Sequence, residues 1–455
     1  MPVTATHFSD RRLALADLQP GIPALFFSGT PQSRNFSANL YPFRASSHYL
    51  YFGAPPIPDA FLLVLNGEAT LFVDLPDARE AVWTGEPYQA EQLLNDYGFE
   101  AVRPLAELES TLDELQREEV VSLPLPSLAS NAAIEKVLGR TPDLEGDFDS
   151  DLAQAMVELR LCHDSAAIDA LRRAAAATVE AHRAVYGQVR SGVGESEVLS
   201  RMMACVIGAG RGVSFEPIVS VHGEVLHNPF YNHKLAAGDL LVVDFGAELA
   251  NGWAGDVTRT YPVDGNFTPE QKAAYELVLA AQARAIEKVA PGVHYRDVHL
   301  AACQVMAEGL VELGLLKGNP TDLVERGAHA LFFPHGIGHL LGLDVHDMED
   351  LGDLAGYEYG QTRSQQFGLC YLRLARPLQP GMLVTIEPGF YWIPQLLESS
   401  ERLEPFKDCL DLERVAQFRG VRGIRIEDEL LVTEDGHENL TAELAKSADE
   451  VAAKA

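Results

Sequence analysis

The second half of the chain repeats one pattern, a short wholly apolar run closed by an acid. Leu240 to Val243 ends at Asp244 with Gly246 behind it, and Leu383 to Ile386 ends at Glu387 with Gly389 behind it. Apolar runs of this length bounded by turn formers predict buried strands that deliver an acid at their ends. A second acid follows each. Asp256 opens the strand-like DVTRTYPV, and Glu427 lies within GIRIEDELLVT, where Ile424 and Ile426 face one way and Arg425, Glu427 and Glu429 the other. Gly252 to Gly255 suit a hairpin turn, so Asp244 and Asp256 are expected side by side on paired strands. The pattern gives two similar acid-bearing hairpins, a faint internal duplication.

Elsewhere the period is helical. Amphipathic helices are predicted over 164–191, 269–289 and 296–314, with Thr268 and Pro269 as cap and first-turn proline of the second. The amino-terminal part mixes strand-like runs (PALFFSG, AFLLVLNG, ATLFVDL, VVSLPLP) with helical ones (EAVWTGEPYQAEQLLNDYG, SNAAIEKVLG), which reads as an α/β domain. The polar stretch DLEGDFDSDLAQAMVELRL reads as a boundary and an entry helix. The expected organisation is α+β: an amino-terminal α/β domain over 1–155, a second domain over 156–445 that carries the acid-bearing hairpins, and a tail over 446–455.

Composition narrows the class of function. At 455 residues the chain can bury two or three substantial cores. Its net charge of -31 would be repelled by nucleic acid and by anionic membrane, so neither is expected as a partner. No apolar run approaches the about 20 residues that cross a bilayer, and MPVTATHFSDRRLALADL lacks a signal peptide's apolar core. Cys162, Cys205, Cys303, Cys370 and Cys409 are odd in number and lack metal-type spacing, which suggests reduced thiols in a cytoplasm.

The acids become informative as a group. A single Asp at a strand end is more often a turn former, and a lone histidine more often a core residue. Asp244, Asp256, Glu387 and Glu427 recur in strand contexts, and His339 in HGIGHLLG stands among Gly336, Gly338 and Gly342, which leave its imidazole without bulky neighbours. Burying four carboxylates together is prohibitive unless cations neutralise them, and two divalent metals would do so. A zincin would need Glu after its first histidine, where this chain has Gly336. A non-haem iron site would use two histidines and one carboxylate.

The block from His227 to Thr433 resembles the pita-bread metallopeptidases of the creatinase/aminopeptidase fold, in their Xaa-Pro branch of prolidases and aminopeptidases P. HGIGHLLGLDVHD (335–347), LRLARPLQPGMLVTIEPGFY (372–391) and FRGVRGIRIEDELLVT (418–433) carry the likeness, and YPFRASSHYLYFGAPPIPDAFLLVL (41–65) resembles the leading domain of that branch. The resemblance implies that Asp244 binds one metal, that Asp256 and Glu427 bridge two, and that His339 and Glu387 complete the second. It gives Glu387 a general acid–base role and places His227, His335 and His346 around the substrate. Arg425 would orient the metal-binding groups. Carboxylates with one imidazole suit Mn, with Zn or Co as alternatives.

An Xaa-Pro bond has no N–H, so a carbonyl-polarising metal suits it. Arg373 matches the prolidase arginine that grips a dipeptide's free carboxylate, with its planar fork of donors. That match tilts the expectation to an Xaa-Pro dipeptidase; the alternatives are an Xaa-Pro aminopeptidase acting on longer peptides and a non-catalytic peptide-binding protein on the same fold. The family leads one to expect a homodimer. Two departures stand out. The gap from Asp244 to Asp256 is one residue longer than the family's usual spacing, to be absorbed by a bulge or a longer tip around Ala250 to Trp253. The segment 348–369 reads as a loop framing the pocket or a solvated excursion.

Overall fold

The computed structural model describes residues 5–76, 79, 81–85 and 88–455, which form two compact units. The first comprises the chain through Asp169 together with Met348–Leu354, and the second comprises Ala170–Asp347 and Ala355–Ala455. The division thus falls inside the helix Ser165–Arg183, later than the boundary expected near 155. The polar stretch expected to open the catalytic domain forms the helix Asp147–Leu161 of the first unit.

In the first unit β1 (Ala24–Phe27), β2 (Phe61–Leu65), β3 (Glu68–Phe72), β4 (Ala101–Arg103) and β5 (Val121–Ser122) form one mixed sheet in the order β4-β3-β2-β1-β5. Asn66 and Gly67, both at positive φ, close the β2/β3 hairpin, the conformation that matches the twist of the strands. Leu25, Phe27, Phe61 and Leu63 alternate onto one face and pack on Leu108, Leu112, Ile134 and Leu138 of two helices. The helix expected over 80–98 is two helices, Ala81–Thr84 and Ala90–Tyr97; residues 80, 86 and 87 lie outside the described ones, as do the first four residues of the chain's start.

The second unit holds β6 (Gly212–Val213), β7 (Ile218–Ser220), β8 (Leu240–Phe245), β9 (Ala247–Glu248) and β10 (Val257–Pro262), then β11 (Leu383–Ile386), β12 (Gly389–Tyr391), β13 (Gly423–Arg425), β14 (Asp428–Val432) and β15 (His437–Asn439). They pair as β10-β8-β7, β11-β14-β15, β12-β13 and β6-β9. Every residue of β8, β10, β11 and β14 is buried, the apolar runs of β8 and β11 as expected and the polar Thr258, Arg259, Asp428 and Glu429 of β10 and β14 with them. GIRIEDELLVT, expected as one strand, is interrupted at Ile426–Glu427, where its partner strand carries Pro388 and cannot donate.

Long helices cover these sheets. Pro269–Lys288 starts at Thr268, whose hydroxyl accepts from the Gln271 N–H in a capping box, and its buried stripe runs through Ala274, Val278, Ala281 and Ala285. Tyr295–Glu312 packs beside it. Ser165–Arg183 ends eight residues before the predicted 191, and the expected tail contains the helix Ala448–Lys454 with Val451 buried. No helix among the described residues is long and apolar enough to cross a membrane.

Candidate metal centre

β8 and β10 form one ladder in which Asp244 stands opposite Thr258 and Phe245 opposite Val257. The same register continues to the bridge of Glu248 with Ala254, so the additional residue lies in the tip between them and Asp256 keeps the face of Asp244. Gly246 is required here: a Cβ on it would stand 1.9 Å from the Gly255 carbonyl oxygen. On the other side Ile386 pairs with Asp428 and Gly389 with Arg425, which sets Glu387 opposite Glu427 across the interruption. His339 arrives on the glycine-rich segment beside β11, where a Cβ on Gly338 would stand 2.2 Å from the Thr385 carbonyl oxygen.

All ten residues singled out in the sequence line one cavity of about 710 Å³: His227, Asp244, Asp256, His335, His339, His346, Arg373, Glu387, Arg425 and Glu427. Asp256, His339 and Glu427 form the tightest group, with one ligand atom from each within 4.8 Å of the others. His339 Nε2 lies 3.4 Å from Asp256 Oδ2 and 3.6 Å from Glu387 Oε1. Its Nδ1–H donates to the Leu340 carbonyl at 2.9 Å, which leaves the Nε2 lone pair turned to the acids.

The electrostatics are those of a site built around cations. Burial, then Asp244 and Glu387, pushes the Asp256 carboxyl well above the usual range; burial and Asp256 do the same to Glu427. Burial also raises Glu387. Asp244 Oδ1, Asp256 Oδ1 and Glu427 Oε1 are buried with no hydrogen-bond partner. Buried carboxylates with orphaned oxygens, two of them grouped with one imidazole, fit divalent metals, which would remove the repulsion and fill the empty acceptors.

Two side chains that the sequence reading did not name, Thr258 and Tyr391, support the expected Arg425. Arg425 donates through Nη2 to Asp244 Oδ2 (2.5 Å), through Nε to Thr258 Oγ1 (3.1 Å) and through Nη1 to the Tyr391 hydroxyl (3.0 Å). Thr258 Oγ1 in turn donates to Glu427 Oε2 at 2.8 Å. Burial works against the Arg425 charge, and Tyr391, Asp244 and Glu387 more than restore it. The Tyr391 hydroxyl lies 2.9 Å from His335 Nε2, and His335 Nδ1 lies 2.8 Å from the Gly336 carbonyl, so both ring nitrogens are engaged within the protein. Burial, then Arg425, lowers His335 to about 3 and also lowers His227, which keeps both rings neutral near pH 7. The His346 ring lies 4.2 Å from that of His339, tilted by 51° to it. The signal for Thr258 was its place two residues after Asp256 on one strand face; Tyr391 had none, because its partners are distant in sequence. Of the segment 348–369, Phe367 lines the cavity, Tyr359 is exposed and Met348–Leu354 belongs to the first unit.

Fold and centre together define a carboxylate-rich metallohydrolase. The pattern of Metallopeptidase family M24 matches residues 169–434 and that of the aminopeptidase P N-terminal domain matches 8–122; the chain belongs to family M24. It is 32% identical to an Xaa-Pro aminopeptidase of Escherichia coli (strain K12), over 99% of this chain and 98% of the relative, and 30% identical to a probable Xaa-Pro aminopeptidase of Emericella nidulans, over 88% and 86%. Among solved structures, an Escherichia coli aminopeptidase P variant in complex with substrate superposes with a TM-score of 0.82 at 28% identity, covering 100% of this chain and 98% of that one. Proline aminopeptidase P II from Yersinia pestis gives 0.81 at 29% identity, covering 99% of each. These relatives carry the aminopeptidase name, and so favour the alternative over the tilt to a dipeptidase that Arg373 suggested.

Proposed function

We propose that this protein is an Xaa-Pro aminopeptidase that removes the amino-terminal residue preceding proline from short peptides. The convergence of Asp256, His339 and Glu427 within 4.8 Å carries the reading, with the full-length likeness to Xaa-Pro aminopeptidases in support. Asp244, Asp256, His339, Glu387 and Glu427 would hold two divalent ions, Mn in preference to Zn or Co given the oxygen-rich donor set. Bound there, the metals supply a Lewis acid and lower the pKa of water towards about 7.

The side chains do the rest. Glu387, open to the cavity, takes a proton from the attacking water on a carboxylate oxygen. As the water oxygen bonds the scissile carbon and the C–N bond breaks, Glu387 returns that proton to the proline nitrogen. This delivery matters because the tertiary amide nitrogen must leave as an amine. Neutral His227, with His346, offers donors to the scissile carbonyl oxygen. His335 acts through Tyr391, which it meets at 2.9 Å, and Arg425 keeps Asp244 in place. Arg373, which lines the same cavity, would meet a carboxylate or carbonyl on the product side of proline. Five cysteines, none of them in a disulfide, favour a reducing compartment, hence the cytoplasm; a homodimer is the proposed assembly, to be checked by light scattering.

The test is hydrolysis of Ala-Pro-Ala beside Ala-Pro by metal-stripped, Mn-reloaded protein. Preference for the tripeptide is expected, with Glu387→Ala lowering kcat by about 10²–10⁴-fold. Preference for the dipeptide that disappears in Arg373→Ala would make the protein a dipeptidase. Activity on neither would favour a binding protein.

A further inference from the structure

His227 and Asn228 reach the cavity on an irregular segment that leaves β7 at Ser220 and rejoins the body of the unit at His233. Such a loop places its side chains reproducibly only if its base is tied. The tie is one residue from a different part of the chain. Glu195, the first residue of the helix Glu195–Gly208, is fully buried. Its Oε1 accepts from the Val221 N–H (2.9 Å) and the Ser220 hydroxyl (3.2 Å), and its Oε2 from the His233 N–H (2.9 Å) and His233 Nδ1 (3.1 Å). The Glu195 N–H donates to the His233 carbonyl at 3.0 Å. Both ends of the loop therefore close on a single carboxylate.

A second link carries this clamp to the cavity. While its proton goes to Glu195, Ser220 Oγ accepts from Asn228 Nδ2 (2.9 Å) and from the His222 N–H (3.0 Å). Asn228 Oδ1 accepts from the Phe230 N–H at 3.1 Å. Glu195, Ser220 and Asn228 thus form a chain of charge-assisted and neutral hydrogen bonds that ends at the residue next to His227. A surface or purely packing role would not need a buried acid whose four partners all donate.

We propose that Glu195 is the positioning residue for His227: through Ser220 and Asn228 it fixes where the imidazole stands against the scissile carbonyl, without itself touching substrate. The inference rests on the proposed peptidase reading for its kinetic part. Glu195→Gln is the discriminating change, because an amide NH2 cannot accept, and one side of the loop base would meet donor with donor.

In the Mn-loaded protein, Glu195→Gln is expected to lower kcat/KM for Ala-Pro-Ala by about 10²-fold, the size of a misplaced catalytic contact, with bound Mn per chain unchanged. In a His227→Ala background the same change should cost less than about twofold, within the error of additivity. Hydrogen exchange at the amides of Val221 and His233 should accelerate in Glu195→Gln whether or not the wild type cleaves the peptide. Ser220→Ala, which removes the hydroxyl between Glu195 and Asn228 and with it the acceptor of the His222 N–H but leaves the Glu195 bonds to Val221 and His233, should show the same dependence on His227 at smaller size and serves if Glu195→Gln does not fold. Equal losses in both backgrounds, no loss in either, or unchanged exchange would overturn the proposal. An inactive wild type with accelerated exchange in the variant would reject the peptidase reading and leave the clamp standing.

Discussion

The two acid-bearing hairpins look alike in sequence and are built on different principles. In the first, β8 and β10 form an unbroken ladder, Asp244 faces Thr258, and Asp256 lies diagonally across on the same face. In the second, one register runs through β11/β14 and on through β12/β13, and Glu387 faces Glu427 in the gap between them. Pro388 makes the gap, since it has no N–H to return to Ile426, although its own carbonyl accepts from the Ile426 N–H at 3.4 Å. The Ile426 carbonyl, left short of a donor, is supplied from outside: Gln282 Nε2 lies 3.2 Å from it and 3.3 Å from the Ile386 oxygen. A continuous ladder can hold an acid by its own hydrogen bonds, whereas two acids set face to face need an interruption and a helix side chain to make it good.

The largest effect should come where the hairpins are joined. Arg425 spans Asp244 and Thr258 of the first and stands at the end of β13 in the second, a task a lysine's point charge cannot reproduce. Arg425→Lys is expected to lower metal affinity or kcat/KM by about 10–100-fold, read by calorimetric Mn titration and by peptide hydrolysis. A change within about twofold would mean that the ladder alone holds Asp244.

Next is the patch on the interruption. Gln282→Leu should destabilise the protein by about 1–3 kcal/mol in urea unfolding, because two buried carbonyls lose a donor. Adding Pro388→Ala restores an N–H opposite Ile426, so the double variant should be more stable than the two single losses would give; strict additivity would show that the gap needs no outside donor.

The smallest effect separates repelling acids from a paired one. In the first unit His48 Nε2 lies 3.2 Å from Asp350 Oδ2, with Arg160 Nη1 3.0 Å from His48 Nδ1. Burial raises the Asp350 carboxyl, but His48 and Arg160 outweigh it and hold it at about 2. A folded pKa below the unfolded value of about 3.9 contributes stability that is present above about pH 4 and lost as pH falls towards 2. Denaturant midpoints at pH 5 and pH 3 should therefore differ less in Asp350→Asn than in the wild type, by about 1–2 kcal/mol. An unchanged difference would remove the contrast.

Much of this was legible along the chain. Apolar runs, acids and glycines marked β8, β11 and their carboxylates, and Thr268 with Pro269 marked the start of a long helix. The break at Ile426–Glu427 was readable in principle, since Pro388 stands in the partner strand, but only once the pairing was known. Thr258 is marked only by its place two residues after Asp256, and Tyr391, Gln282 and Glu195 carry no local signal at all; each gains its part from a partner brought close by folding. The candidate donors and the strands that bury them could be read from the chain alone, because apolar periodicity and residue chemistry are local properties. Register, the facing of Glu387 and Glu427, the Arg425 fork and the Glu195 clamp were decided only in the tertiary structure, because hydrogen bonds and Coulomb interactions act across space, where separation along the chain counts for nothing.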